Sequence, residues 1–318
     1  MKTEKTEYYI FDLSDNVIRE KVTYKNRYGI DIVADMYVAK DLDKTKKHPA
    51  LVVGPPHGGV KEQGPGVYGN QLAQRGFVVI AFDQPFMGES GGEPRHISSP
   101  EMFSESFSAG VDFLGSLPYV DRQKIGAVGI CASGGFALSA AQVDTRIKAV
   151  ATTSMFDLTA AARGLATPEQ VKTLLPVLGE QRWADFENGT PEVKPMYPAQ
   201  PTDFIPESFQ GPWAEFYSFY GMKRGHHPRS HGAFTTTSQL SALQFRLLDF
   251  IEEISPRPIL FIIGENAFSN FFSENAYKAA AEPKELLVIP NANHIDLYDD
   301  VNKIPFDKLE TFFTENLK

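Results

Sequence analysis

The feature that most restricts the fold is a series of short apolar runs, at residues 50–54, 77–82, 125–130, 147–152, 259–263 and 285–289, separated by segments with helical patterning. Runs this brief suit strands rather than helices, and their nearly unbroken apolar character suits strands covered on both faces, as in a parallel sheet. Helical stretches at 68–75, 100–117, 134–142, 273–280 and 305–318 would supply the covering layers. Ahead of them, residues 16–39 roughly alternate branched or aromatic residues with polar ones around a turn at 26–29, which reads as an antiparallel pair. The expected fold class is α/β, a doubly wound and mostly parallel sheet that receives ligands at the C-terminal ends of its strands.

The rhythm breaks once. Residues 158–249 separate two consecutive strands, far more than the usual short connection, and are expected to form a cap inserted into a core made of residues 1–157 and 250–318. Both tryptophans, Trp183 and Trp213, fall in this insertion, among Phe186, Tyr197, Phe204, Phe209, Phe216, Tyr217, Phe219, Tyr220 and Phe234. Such aromatics can build a small core for the insertion, line an acyl pocket beneath a lid, or do both.

Composition narrows the function. With 40 acidic against 31 basic residues the net charge is −9, and no basic block offers a surface for nucleic acid or anionic membrane. The first sixteen residues interleave charges with aromatics and contain no apolar signal region, and nowhere do about eighteen apolar residues run together, so a cytoplasmic protein with no membrane partner is expected. The single cysteine, Cys131, rules out an internal disulfide, and the seven histidines show no structural zinc spacing, so neither metal nor cofactor is expected.

The chemistry concentrates around that cysteine. Residues 124–137, KIGAVGICASGGFA, read as an apolar strand, a sharp turn and a helix, with Cys131 at the tip of a nucleophile elbow and Ser133 where a second glycine usually stands. Small flanking residues let strand and helix approach, and the helix N-terminus should lower the thiol pKa. A register shifted to make Ser133 the nucleophile is the alternative, as is a merely structural buried thiol. His294, in a small polar loop after the run at 285–289, suits a general base for Cys131. The cap histidines His226, His227 and His231 read as a polar loop that could also touch substrate or a metal. The base-orienting acid is the open position. An aspartate expected about three residues after Gly264 is Ala267, which leaves Asp157, after the strand preceding the insertion, or Glu265. Asp157 is slightly preferred, although it can equally cap the helix that follows. For the oxyanion, backbone N–H groups of Gly59 or Val60 in HGGVKEQGPG are expected to join that of Ala132, with His57 shaping the loop.

The segments PPHGGVKEQ, FDQPFMGESGGEPR, GICASGGFAL, ISPRPILFIIGENA and AEPKELLVIPNANHIDLYD together resemble the bacterial YcjY-type hydrolases of the α/β-hydrolase superfamily, which are similar to fungal polyketide acyltransferases and thiohydrolases. The resemblance spans nearly the whole chain. It implies Cys131 as nucleophile, His294 as base and a small-molecule ester or thioester substrate, and Ala267 departs from the general pattern. Three readings follow: an acyl hydrolase working through an acyl-cysteine, an acyltransferase passing the same acyl group to an alcohol or amine, and a non-catalytic binding protein with a degenerate site.

Overall fold

Alternation of buried and exposed side chains sets up the first hairpin. Strand β1 (Val17–Lys25) pairs antiparallel with β2 (Asp31–Ala39), Val17 opposite Ala39 and Lys25 opposite Asp31. The structure is a computed structural model and describes residues 8–318; residues 1–7 of the charged opening segment lie outside it. The chain continues through β3 (His48–Gly54), α1 (Gly64–Ala73), β4 (Val78–Phe82), α2 (Pro100–Ser116), β5 (Val120–Ile130), α3 (Ala132–Val143) and β6 (Val150–Thr153). Between β6 and the next sheet strand lie α4 (Leu158–Gly164), α5 (Pro168–Asn188), the two-residue strands β7 (Val193–Lys194) and β8 (Phe234–Thr235) with α6 (Pro212–Tyr220) between them, and α7 (Ser238–Gln244). The fold closes with β9 (Ile259–Gly264), α8 (Asn270–Ala279), β10 (Lys284–Ile289), α9 (Asp296–Asp299) and α10 (Phe306–Asn316).

Among the described residues the main sheet has eight strands in the order β1-β2-β4-β3-β5-β6-β9-β10. It is antiparallel where β2 meets β1 and β4, and parallel from β4 to β10. Because β3 lies between β4 and β5, chain progress reverses there, and the loops leaving β3 and β5 end side by side, with Gly54 opposite Gly129. That reversal is where an open parallel sheet offers a crevice for a ligand. The strands from β3 to β6 and β9 are buried almost throughout, which is why they read as apolar runs.

Boundaries differ where local chemistry hid them. Helix α1 starts at Gly64 rather than at Tyr68, because Pro65 in the first turn forgoes only an N–H that has no helical partner there. Strand β5 starts at Val120 rather than at 125, its polar first half pairing at Val120 with His48 across an irregularity in the register.

The inserted segment carries little core of its own. Tyr197, Tyr217, Phe219 and Tyr220 join the main core, and only Val171, Leu178 and Leu243 form a separate buried cluster. Trp183 is 66% exposed and Trp213 54%, so neither tryptophan is a core residue. The segment is instead stitched to the loop after β3: Ser230 Oγ donates to the Gly58 carbonyl at 2.7 Å, Arg229 pairs with Glu62 at 2.6 Å, and Phe234 stacks on His57 with centroids 3.9 Å apart. Among the described residues no helix is long and apolar enough to cross a membrane.

Candidate active site

Strand β5 delivers Cys131 into a bend with φ 55° and ψ −122°, a backbone conformation that side-chain-bearing residues rarely occupy and that clusters at functional sites. The bend exists because β5 and α3 nearly touch: a Cβ on Gly129 would lie 2.2 Å from the Ser133 carbonyl oxygen. Ser133 is fully buried, and its hydroxyl donates to the Pro55 carbonyl at 2.5 Å, tying α3 to the end of β3. Cys131, not Ser133, stands at the tip.

Two donors face the Cys131 sulfur, the backbone N–H groups of Ala132 and His57, and the Tyr298 hydroxyl is its side-chain partner. Burial nevertheless pushes the thiol up to about 11, with those donors pulling the other way. This corrects the expectation of a lowered pKa. A helix N-terminus favours the thiolate, but a side chain only 4% exposed loses more by leaving water than the helix returns.

His294 follows β10 and is completely buried. Its Nδ1 lies 2.6 Å from Ser269 Oγ and its Nε2 lies 3.0 Å from the Tyr298 hydroxyl. The ring is stacked on Phe268 at 4.8 Å and met edge-on by Phe216 of α6 at 5.3 Å. Ser154 Oγ donates to its carbonyl at 2.9 Å, and Glu215 of α6 accepts from the next N–H, that of Ile295, at 2.7 Å. Burial pushes the imidazole down to about 3, so the ring is neutral. Among the described residues no hydrogen bond joins His294 directly to Cys131; the path runs Ser269, His294, Tyr298, Cys131.

Neither carboxylate expected to orient His294 bonds it. Asp157 caps α4, its Oδ1 accepting from the N–H groups of Thr159 and Ala160 at 2.9 Å each and from the Thr159 hydroxyl at 2.8 Å. Glu265 is exposed and accepts from the Asn291 N–H at 2.9 Å. The oxyanion loop needs a similar correction. Gly59 N–H donates to the Pro56 carbonyl at 2.9 Å and Val60 N–H to Gln63 Oε1 at 3.0 Å, so both are spent inside the turn. The N–H that reaches the sulfur beside that of Ala132 belongs to His57, whose ring bonds Ser98 Oγ at 2.7 Å and is held neutral by burial, which lowers it to about 4.

Sequence reasoning missed Ser269 and Tyr298. Tyr298 had a readable signal, standing only four residues after His294 in the segment that enters the short helix α9. Ser269 had none, being one of several polar residues after β9. The cap histidines stay apart from the sulfur's partners: His226 Nε2 faces the Pro198 carbonyl at 3.3 Å, His231 the Pro228 carbonyl, and buried His227 lies 3.7 Å from Glu62. Among the described residues no cluster of three or more His, Cys, Asp or Glu could hold a metal ion.

A buried thiol, two converging backbone donors and a neutral phenol–imidazole–hydroxyl chain are groups of the kind that acyl transfer uses, with the imidazole one hydroxyl removed from the sulfur. The chain is 48% identical to an uncharacterized protein, PA2218, of Pseudomonas aeruginosa, over 96% of this chain and 83% of that protein. A crystal structure of PA2218 superposes with a TM-score of 0.91 at 47% identity, covering 98% of each chain. The uncharacterized protein YcjY of Escherichia coli is 33% identical over 95% of this chain and all of its own length. Polyketide transferase grgF of a Penicillium species is 24% identical over 82% of this chain and 86% of its own, and its crystal structure shares the fold at a TM-score of 0.78, 20% identity and coverage of 94% of this chain and 99% of that one. Other relatives are named thiohydrolases and acyltransferases. The profile of the alpha/beta hydrolase family matches residues 57–303, more than half of the sequence, and the chain belongs to that family.

Proposed function

We propose that this α/β-hydrolase is an acyl hydrolase that cleaves a small-molecule ester or thioester through an acyl-enzyme on Cys131. The observation that carries the reading is the convergence at one strained bend of the sulfur and the Ala132 and His57 N–H groups. In the resting site these donors face the sulfur. Once it bonds a carbonyl carbon, the same two groups suit the oxyanion that develops beside it. His294 serves as base in acylation and activates water in deacylation. Thioesters and activated esters fit best, because their leaving groups depart readily from a tetrahedral intermediate formed with a thiol. The inserted segment acts as a cap, with Tyr197, Tyr220 and Phe216 on its inner side favouring an apolar acyl group.

The test is intact-protein mass spectrometry after incubation with short- and medium-chain acyl-coenzyme A thioesters, together with turnover of p-nitrophenyl acetate. The reading requires an acyl increment on the wild type that Cys131→Ala lacks, with loss of turnover in that variant. Turnover that persists in Cys131→Ala, or a wild type inert to every ester and thioester, overturns it.

The burial of Cys131, together with the transferase names of relatives, favours acyl transfer as the second reading. A site that excludes water preserves an acyl-enzyme for an incoming alcohol or amine. Adding a primary alcohol separates the two: ester product accumulating at the expense of free acid marks a transferase.

A further inference from the structure

We infer that Tyr298 is a catalytic residue, its hydroxyl relaying the proton between Cys131 Sγ and His294 Nε2, an assignment that rests on the acyl-cysteine reading. The hydroxyl lies 3.0 Å from Nε2 and is the side-chain hydrogen-bond partner of the thiol, beside the two backbone N–H groups. Direct base catalysis would require His294 Nε2 to give up its contact with the Tyr298 hydroxyl, and the surroundings of the ring oppose movement. Nδ1 is engaged by Ser269, the ring by Phe268 and Phe216, and the peptide that follows the residue by Ser154 at its carbonyl and Glu215 at its N–H. Tyr298 is equally fixed, fully buried and packed edge-on against Phe219 at 5.4 Å.

The step balances. As the sulfur bonds the acyl carbon, the S–H bond breaks and its proton passes to the Tyr298 oxygen, while the phenolic proton passes to Nε2. The imidazolium then returns a proton through the same phenol to the departing alkoxide or thiolate. In deacylation the attacking water loses its proton by the same route, and the sulfur recovers one as the acid leaves. Tyr298 is unchanged at the end of each half. Burial raises the Tyr298 pKa well above its ordinary value, so a free phenolate is disfavoured and the two transfers are concerted. For Nε2 to accept, Nδ1 must carry its proton toward Ser269 Oγ, a tautomer that the 2.6 Å contact accommodates.

The experiment is single-turnover acylation by p-nitrophenyl acetate in wild type and Tyr298→Phe. Removing the relay should lower the acylation rate about 10²- to 10⁴-fold with KM nearly unchanged. The residual rate should rise about tenfold per pH unit as thiolate forms by itself, whereas the wild type stays flat over the same range. A Tyr298→Phe enzyme with the wild-type rate and a flat profile overturns the relay. Should that variant fail to fold, a proton inventory on the wild type decides: a bowed dependence on deuterium fraction means two protons in flight, and a straight line with a normal isotope effect sinks the assignment. Neither outcome touches the acyl-enzyme itself, whose separate readout is the mass increment on Cys131.

Discussion

Ser269 Oγ lies 2.6 Å from His294 Nδ1, so the ring nitrogen that a carboxylate faces in the Ser-His-Asp arrangement faces a neutral hydroxyl here. A hydroxyl orients the imidazole without stabilising an imidazolium, in keeping with a ring that burial already holds neutral. Ser269→Ala should therefore lower kcat only modestly, about 3- to 10-fold, the value of one net hydrogen bond. Ser269→Asp should raise the imidazole pKa and give kcat/KM an acid limb in the neutral range that the wild type lacks. Steady-state pH profiles of the three proteins check this, and a Ser269→Ala enzyme losing about 10⁴-fold would mean the serine does a carboxylate's work.

With its thiol raised to about 11, Cys131 holds far less thiolate at neutral pH than free cysteine does. Alkylation by iodoacetamide at neutral pH should be at least about tenfold slower than that of free cysteine, and should accelerate about tenfold per pH unit through the mildly alkaline range. The check is the rate of the mass shift in intact protein. Labelling at or above the free-cysteine rate would mean that the helix N-terminus outweighs burial after all.

How much the sequence disclosed depends on how local each relationship is. The elbow was legible because strand, bend and helix lie within residues 124–137 and their small residues serve one close contact. The sheet was legible because β3 to β6 and β9 are buried on both faces, which leaves an apolar run in the sequence. The hydrogen-bond partners of the site were not. Ser269 meets His294 only once β9 and β10 lie side by side, and the N–H groups of Gly59 and Val60 are consumed inside one turn, by the Pro56 carbonyl and the Gln63 side chain. The roles of the aromatics in residues 158–249 stayed open for another reason, since aromatic density alone does not distinguish buried Tyr220 from the largely exposed Trp183.

Asp157 is occupied as the cap of α4. Its Oδ1 satisfies two N–H groups at the start of α4, so Asp157→Ala should cost about 1 kcal/mol in denaturant melts and leave kcat within about twofold of the wild type, a difference below 0.5 kcal/mol. Loss of turnover with unchanged stability would return Asp157 to the catalytic machinery.

The loop that carries the His57 N–H is anchored by a buried lysine. Lys61 is fully buried, with Nζ 2.6 Å from Glu62, 3.3 Å from Asp83 and 2.7 Å from Glu89, and its N–H donates to Asp83 Oδ1 at 2.7 Å. Burial holds the Asp83 carboxyl above the usual carboxylate range, against the pull of Lys61. Lys61→Met removes that pull and leaves Asp83 buried without its cation, which should cost about 3–5 kcal/mol at neutral pH. The sign of the pH effect follows from Asp83. A carboxyl whose folded pKa lies above its unfolded value takes up a proton in the native state first, so acidification stabilises the fold through that group, and more so once the lysine is gone. The destabilisation by Lys61→Met, measured by urea unfolding, should therefore be largest at mildly alkaline pH and shrink as the pH falls toward 5. A deficit that stays constant or grows on acidification would mean that Asp83 is not the charge left stranded.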